Sequence, residues 1–171
     1  MARRAISFVG DSGVGKTTLL ERVIAALARD GVRVAVIKHS GGFADPDPPE
    51  KDSARLRRAG AARVVLASRD LTLLFHEHRG AEPAFEERLR LAGDADLVLV
   101  ESYRAAGLPA IEVLRAALPR RRPRCLGDPS LTAVVADFEP EGLAAAVPRF
   151  PFEPIDELAR FLRYPPDQAI A

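Results

Sequence analysis

The stretch Gly10-Asp11-Ser12-Gly13-Val14-Gly15-Lys16-Thr17 fits the phosphate-binding pattern G-x-x-x-x-G-K-[ST] at every fixed position. Apolar Ile6, Phe8 and Val9 read as a short buried strand before it. Leu19, Leu20, Val23, Ile24 and Leu27 recur at helical spacing behind it. A strand, a glycine-rich turn and a helix in that order point to a βαβ architecture and to a nucleotide as ligand. Gly10, Gly13 and Gly15 let the backbone curl and turn several N–H groups inward, and the positive end of the helix points to the same place. Lys16 is expected to reach the β- and γ-phosphates, Thr17 to offer its hydroxyl to Mg²⁺, and Thr18 to face the α-phosphate side.

The rest of the chain continues the alternation. Patterning predicts strands at 6–10, 33–38, 63–67, 71–76 and 96–101 and helices at about 16–29, 51–59 and 84–92. Val32 to Ile37 is a β-rich run suited to a buried parallel strand. The stretch 63–78 breaks the alternation. Val64-Val65-Leu66-Ala67 and Leu71 to Phe75, separated by Ser68-Arg69-Asp70, read as an antiparallel hairpin or a pair of edge strands. Such an edge can pair with another copy, which points to a homodimer. Further strands are expected at Ile111–Leu114 and Leu131–Ala136. An amphipathic helix is expected around Ile155, Leu158, Phe161 and Leu162, with a frayed tail from about Tyr164. The fold class is therefore a three-layer α/β phosphate-loop fold, with a mostly parallel sheet, helices on both faces and an antiparallel hairpin extension near 63–78. At 171 residues a single domain is expected.

Composition removes other classes. Net charge is +1, so no global field favours nucleic acid or a membrane surface. The basic run Arg120-Arg121-Arg122-Pro123-Arg124 lacks aromatic support and reads as a solvated loop. Cys125 is the only cysteine, no apolar run reaches transmembrane length, and the N-terminus does not read as a secretory signal. A cytoplasmic protein is expected. His76 and His78 share one face at strand spacing, but H-E-H is not the helical H-E-x-x-H zinc pattern, and the default reading is a solvated polar pair.

The second half of the site is found from sheet polarity. Asp96 and Glu101 bracket the apolar strand Leu97-Val98-Leu99-Val100. Ligands of parallel sheets bind at the carboxyl ends of the strands. That selects Glu101 over Asp96, which lies on the order of 16 Å away at the usual rise per residue. Glu101 is the candidate acid for Mg²⁺ or for positioning water. The same rule puts Lys38 and His39 on the active edge. Lys16, Lys38 and Lys51 are the only lysines in a chain with 25 Lys+Arg, and a compact ammonium is not interchangeable with a planar guanidinium. In the loop that follows, Asp45 and Asp47 stand before prolines, where they either form turns or reach a metal or a cationic group. Lys51-Asp52-Ser53 opens a helix.

Taken together, GDSGVGKTT, VAVIKHS, DPDPPEKDSARLRRAGA, DLVLVESYR and PAIEVLR resemble the molybdopterin-guanine dinucleotide biosynthesis adapter proteins, the MobB family. The match covers roughly residues 4 to 114, with weaker support from TAVVAD. The resemblance implies a GTP-binding phosphate-loop protein with weak GTPase activity, usually dimeric. Such a protein assists the molybdenum cofactor guanylyltransferase that attaches GMP to molybdopterin. It further implies nucleotide phosphates on Gly10 to Thr18 and Mg²⁺ near Thr17 and Glu101. Lys38, His39, Asp45, Asp47, Lys51, Asp52 and Ser53 would line the site, with Lys16, Glu101 and Asp47 as catalytic residues. No N-K-x-D guanine signature is present, so GTP over ATP rests on the resemblance, and Asp137 is the expected base contact. The chain departs from the family pattern in three places. Ser40-Gly41-Gly42 stands where a second histidine is common, Glu101-Ser102-Tyr103-Arg104 replaces E-G-F-K, and Pro109-Ala110-Ile111-Glu112-Val113 replaces P-K-I-E-V. Two other classes use the same loop. A small-molecule kinase would transfer phosphate to an organic acceptor, with the arginine run 120–124 as a candidate lid, and a non-catalytic module would use nucleotide only to set its shape.

Overall fold

The computed structural model describes residues 4–39, 42, 45–78, 80, 83–103 and 107–164. The chain packs as two compact units, one formed by Met1–His39 with Arg88–Ala171 and the other by Ser40–Glu87. The expectation for the tail beyond Tyr164 lies outside the described residues.

The first unit is built on a six-stranded sheet, all of whose pairings are parallel. In chain order its strands are β1 (Arg4–Val9), β2 (Val34–Lys38), β5 (Leu97–Glu101), β6 (Ala110–Leu114), β7 (Leu131–Ala136) and β8 (Arg149–Phe150). In space they run β2-β5-β1-β6-β7-β8. Helix α1 (Lys16–Arg29) follows β1 directly, and α4 (Asp156–Arg163) closes the unit. Alternation along the strands divides the side chains between two faces. Ile6, Phe8, Leu97, Leu99, Ile111, Val113, Ala133 and Val135 face α1 and α4, where Leu19, Val23, Leu27, Leu158 and Leu162 complete the core. Each fully buried Val, Leu, Ile or Phe among them is worth about 1.5–3 kcal/mol. Val9, Leu114, Val134 and Ala136 pack instead against Cys125, Leu131, Phe138, Leu143 and Val147. Gly31, at φ 76, ends α1 as a glycine after the C-cap is expected to.

One expectation is corrected here. The apolar run of β2 is a strand, but it is not buried: it occupies the edge of the sheet with β5 as its neighbour, and Val36 is 46% exposed. The run specifies strand conformation, whereas burial depends on position in the sheet, which is a topological property. The two-residue strand β8 has no sequence pattern long enough to be read.

The second unit holds α2 (Asp52–Arg58) and the hairpin β3 (Arg63–Ala67) and β4 (Thr72–His76). The hairpin is a separate antiparallel two-stranded sheet, in register from Arg63↔His76 to Ala67↔Thr72. Its turn is tied by Ser68, whose N–H and hydroxyl both donate to the Leu71 carbonyl at 2.8 and 2.9 Å. The short helix α3 (Phe85–Leu91) buries no side chain. A mostly parallel sheet with helices and a separate hairpin is the architecture implied by the sequence.

Candidate functional site

The phosphate loop leaves the carboxyl end of β1 at the middle of the sheet. Gly10, Gly13 and Gly15 have φ of 150°, 75° and 92°, values that L side chains rarely adopt. Gly10 also lies against β6: a Cβ there would meet the Val113 carbonyl oxygen at 2.5 Å. Gly15 is the N-cap of α1 and has no side chain to cap it, so the first-turn amides face the loop with the helix dipole behind them. Lys16 is 8% exposed and curls over the loop, donating to the carbonyls of Gly10 at 3.1 Å and Asp11 at 2.9 Å. Burial lowers its pKa, while the Glu101 and Asp11 carboxylates oppose that shift.

Glu101 ends β5 between β1 and β2, in register with Phe8 and Lys38. Its buried carboxylate accepts from the Thr17 hydroxyl at 2.7 Å and lies 3.4 Å from the Lys38 ammonium. Three residues singled out in the sequence (Thr17, Lys38 and Glu101) thus meet at one point beside the phosphate loop. His39 follows, donating its backbone N–H to the Glu101 carbonyl at 3.0 Å and setting its ring 4.9 Å from that of Tyr103. Ser102 is held at φ 61, in the left-handed region that favours glycine. Ser12, Thr17 and Thr18 are exposed at the loop and the start of α1. Asp96, the acid that sheet polarity rejected, is engaged elsewhere. It accepts three bonds from Arg33, whose guanidinium lowers its pKa to about 2.

Asp137, one residue past β7, accepts from the Ala116 N–H at 2.6 Å and lies 3.9 Å from the Arg115 guanidinium. Arg115 stacks 3.6 Å over the Phe152 ring and directs its Nε to the Val14 carbonyl at 3.5 Å.

Two basic residues were misread. The run 120–124 is a loop, but it is not simply solvated: Arg120 donates through Nε to Asp11 at 2.9 Å, and Arg124 bonds the other oxygen of the same carboxylate. The partners are 109 and 113 residues apart, so no local pattern reveals the pairing. Glu112 was also missed as a working residue. It is fully buried in β6 and accepts from the backbone N–H groups of Arg124 and Cys125 at 2.8 and 2.9 Å.

Within the second unit, Asp45, Asp47 and Ser53 meet. Asp47 is buried, accepts from the Ser53 hydroxyl at 2.8 Å and pairs with Arg57 at 3.3 Å. Asp45 accepts two bonds from Arg57, which lower its pKa, and Glu77 accepts a third at 2.6 Å. Asp45 and then Glu77 hold the Arg57 pKa above the usual guanidinium value. Arg57 also lies 4.8 Å over the Phe75 ring. The cation that these acids reach is therefore a side chain of their own unit, one not recognised in the sequence. They border a cleft of about 400 Å³. Lys51 is exposed at the N-cap of α2, and Asp52 pairs with Arg55 at 3.1 Å. The His76 and His78 rings stand 4.2 Å apart, and burial lowers the His76 pKa.

The model of the family MobB, molybdopterin guanine dinucleotide synthesis protein B, matches residues 5–137. The chain belongs to this family. The molybdopterin-guanine dinucleotide biosynthesis adapter protein of Escherichia coli is 36% identical over 135 residues, covering 77% of each protein. The crystal structure of a MobB homolog from Bacillus stearothermophilus superposes with a TM-score of 0.66 at 27% identity, covering 93% of this chain and 94% of that one. HypB from Helicobacter pylori, at 16% identity and TM-score 0.54, shares the fold. The MobB match spans both the phosphate loop and Glu101, so the residues that meet at the loop lie inside the family region. No helix among the described residues is long and apolar enough to cross a membrane.

Proposed function

We propose that this MobB-family chain is a GTP-binding adapter that assists the guanylyltransferase attaching GMP to molybdopterin. The observation that carries the reading is the contact of Thr17 with Glu101 at 2.7 Å beside the Lys16-capped loop. A hydroxyl and a carboxylate oxygen form an all-oxygen donor set of the kind Mg²⁺ prefers, so these residues fit the ion. When bound there, Mg²⁺ would neutralise charge on the β- and γ-phosphates. Lys16 would hold the phosphates, Thr17 and Glu101 would hold the metal, and the loop amides would orient the chain of phosphates. Hydrolysis is slow in this reading, and the adapter works mainly by binding. Asp137 is the proposed guanine contact, because a carboxylate accepts from two guanine donors that adenine does not present in that arrangement.

The second copy in a homodimer would cover the hairpin, where Val65, Leu71, Leu73 and Leu74 are each more than 40% exposed. We place the protein in the cytoplasm.

Calorimetric titration with GTP and ATP in the presence of Mg²⁺ tests the reading. Binding of GTP at least tenfold tighter than ATP, lost in Lys16→Ala and levelled in Asp137→Asn, is expected; tenfold corresponds to about 1.4 kcal/mol. Equal affinity for the two nucleotides, or full binding by Lys16→Ala, overturns it. Transfer of phosphate to an organic acceptor would place the protein among the kinases.

A further inference from the structure

Asp11 lies inside the phosphate loop and its own backbone carbonyl accepts from Lys16, yet its carboxylate faces the connection between β6 and β7. That connection delivers two guanidiniums to one carboxylate, leaving an excess of one positive charge beside the loop. Arg120 spends its Nε–H and Arg124 one terminal N–H on Asp11, so each planar fork keeps further donors for another acceptor. Neither side chain is sealed: Arg120 is 35% and Arg124 46% exposed. Behind burial and the Lys38 ammonium, the Arg124 guanidinium also lowers the Lys16 pKa. Its position is also built from below. The fully buried Glu112 grips the backbone N–H of Arg124 itself and of Cys125, so this guanidinium extends from an anchored main chain. A solvated loop needs no such anchor. A buried carboxylate is costly unless its acceptors are filled, and here two backbone donors fill them.

We propose that Arg120 and Arg124 form a guanidinium clamp at the phosphate loop that recognises the terminal phosphate of a nucleoside triphosphate, with Asp11 as the acceptor that the phosphate displaces and Glu112 anchoring the chain that carries Arg124. The clamp rests on the reading that the loop binds a nucleoside triphosphate. Forked guanidiniums suit phosphate oxygens, and the Asp11 carboxylate is an anionic oxygen acceptor for the same donors. The clamp therefore distinguishes triphosphate from diphosphate, and Asp11 competes with the phosphate for its donors.

The competition gives opposite signs to two substitutions, which a merely structural brace does not. Affinities for GTP and GDP are measured by calorimetry with Mg²⁺ on the full chain and on three variants. Arg120→Ala/Arg124→Ala is expected to lose roughly tenfold in GTP affinity and less than about threefold for GDP, as for loss of a bond to a charged group. Asp11→Asn is expected to raise GTP affinity and leave GDP unchanged. An equal loss for both nucleotides in the arginine variant, or a weakening of GTP by Asp11→Asn, overturns the clamp. If the double variant does not fold, Arg120→Gln and Arg124→Gln are tested singly with the same GTP-to-GDP ratio as readout. Lys16→Ala separates the two levels. If it retains nucleotide, the nucleotide reading fails; if it loses nucleotide while the arginine variant keeps the parent ratio, the clamp alone fails.

Discussion

Replacing Glu112 offers a quantitative test of how the β6–β7 connection is held. The carboxylate is fully buried and accepts from the Arg124 and Cys125 N–H groups at 2.8 and 2.9 Å. Glu112→Gln keeps the volume but leaves one acceptor oxygen, and turns an NH₂ donor toward the second N–H. A lost bond to a charged group costs about 1.5–3 kcal/mol, and an orphaned buried donor costs about 1–3 kcal/mol. Part of this is recovered because a buried charge is removed. The expected net loss is about 3 kcal/mol, a large share of the roughly 5–15 kcal/mol that holds a protein folded. At this chain length that corresponds to a fall in Tm of about 6–12 °C. Glu112→Leu likewise removes the charge but takes the Glu112 acceptor away from both N–H groups. If the backbone bonds dominate, stability falls in the order wild type, Gln, Leu; if charge burial dominates, Leu is the most stable of the three. Scanning calorimetry and urea unfolding measure the order. A Leu variant at or above the wild-type Tm would refute the view that Glu112 is present to hold the connection.

Two further predictions concern backbone geometry. Gly10→Ala places a Cβ 2.5 Å from the Val113 carbonyl at φ 150°, whereas Gly13→Ala meets open space at φ 75°. The first adds overpacking to backbone strain and should cost about 3 kcal/mol; the second should cost about 1–2 kcal/mol from strain alone. Equal shifts in the urea midpoint would sink the packing argument. Ser102→Gly relieves an L-residue held at φ 61° on an exposed position, and the higher unfolded-state entropy of glycine offsets part of the gain. A rise of about 1–3 °C in Tm is expected, and a fall would show that the turn after Glu101 is not strained.

The candidate site is legible where its residues form a local pattern. The phosphate loop is contiguous, and Glu101 and Lys38 follow from the rule that ligands meet parallel strands at their carboxyl ends. The pairing of Arg120 and Arg124 with Asp11 was not legible, because a charge in a loop looks the same in sequence whether it faces water or a carboxylate 109 residues away. Arg57 escaped for a similar reason, lying in a helix whose other arginines, Arg55 and Arg58, are exposed. Glu112 is different. In Ala110-Ile111-Glu112-Val113-Leu114 the acid alternates with Ala110 and Leu114, so the strand period alone places it on an apolar face. A carboxylate on such a face must find donors, and with the backbones of the flanking strands β1 and β7 committed to pairing in the sheet, the donors must come from the main chain that crosses above. That chain is the basic connection. A buried acid in a central strand was therefore the one sequence signal that the arginine run beyond it is held in place, and it links the core of the sheet to the edge of the phosphate loop through Arg124 and Asp11.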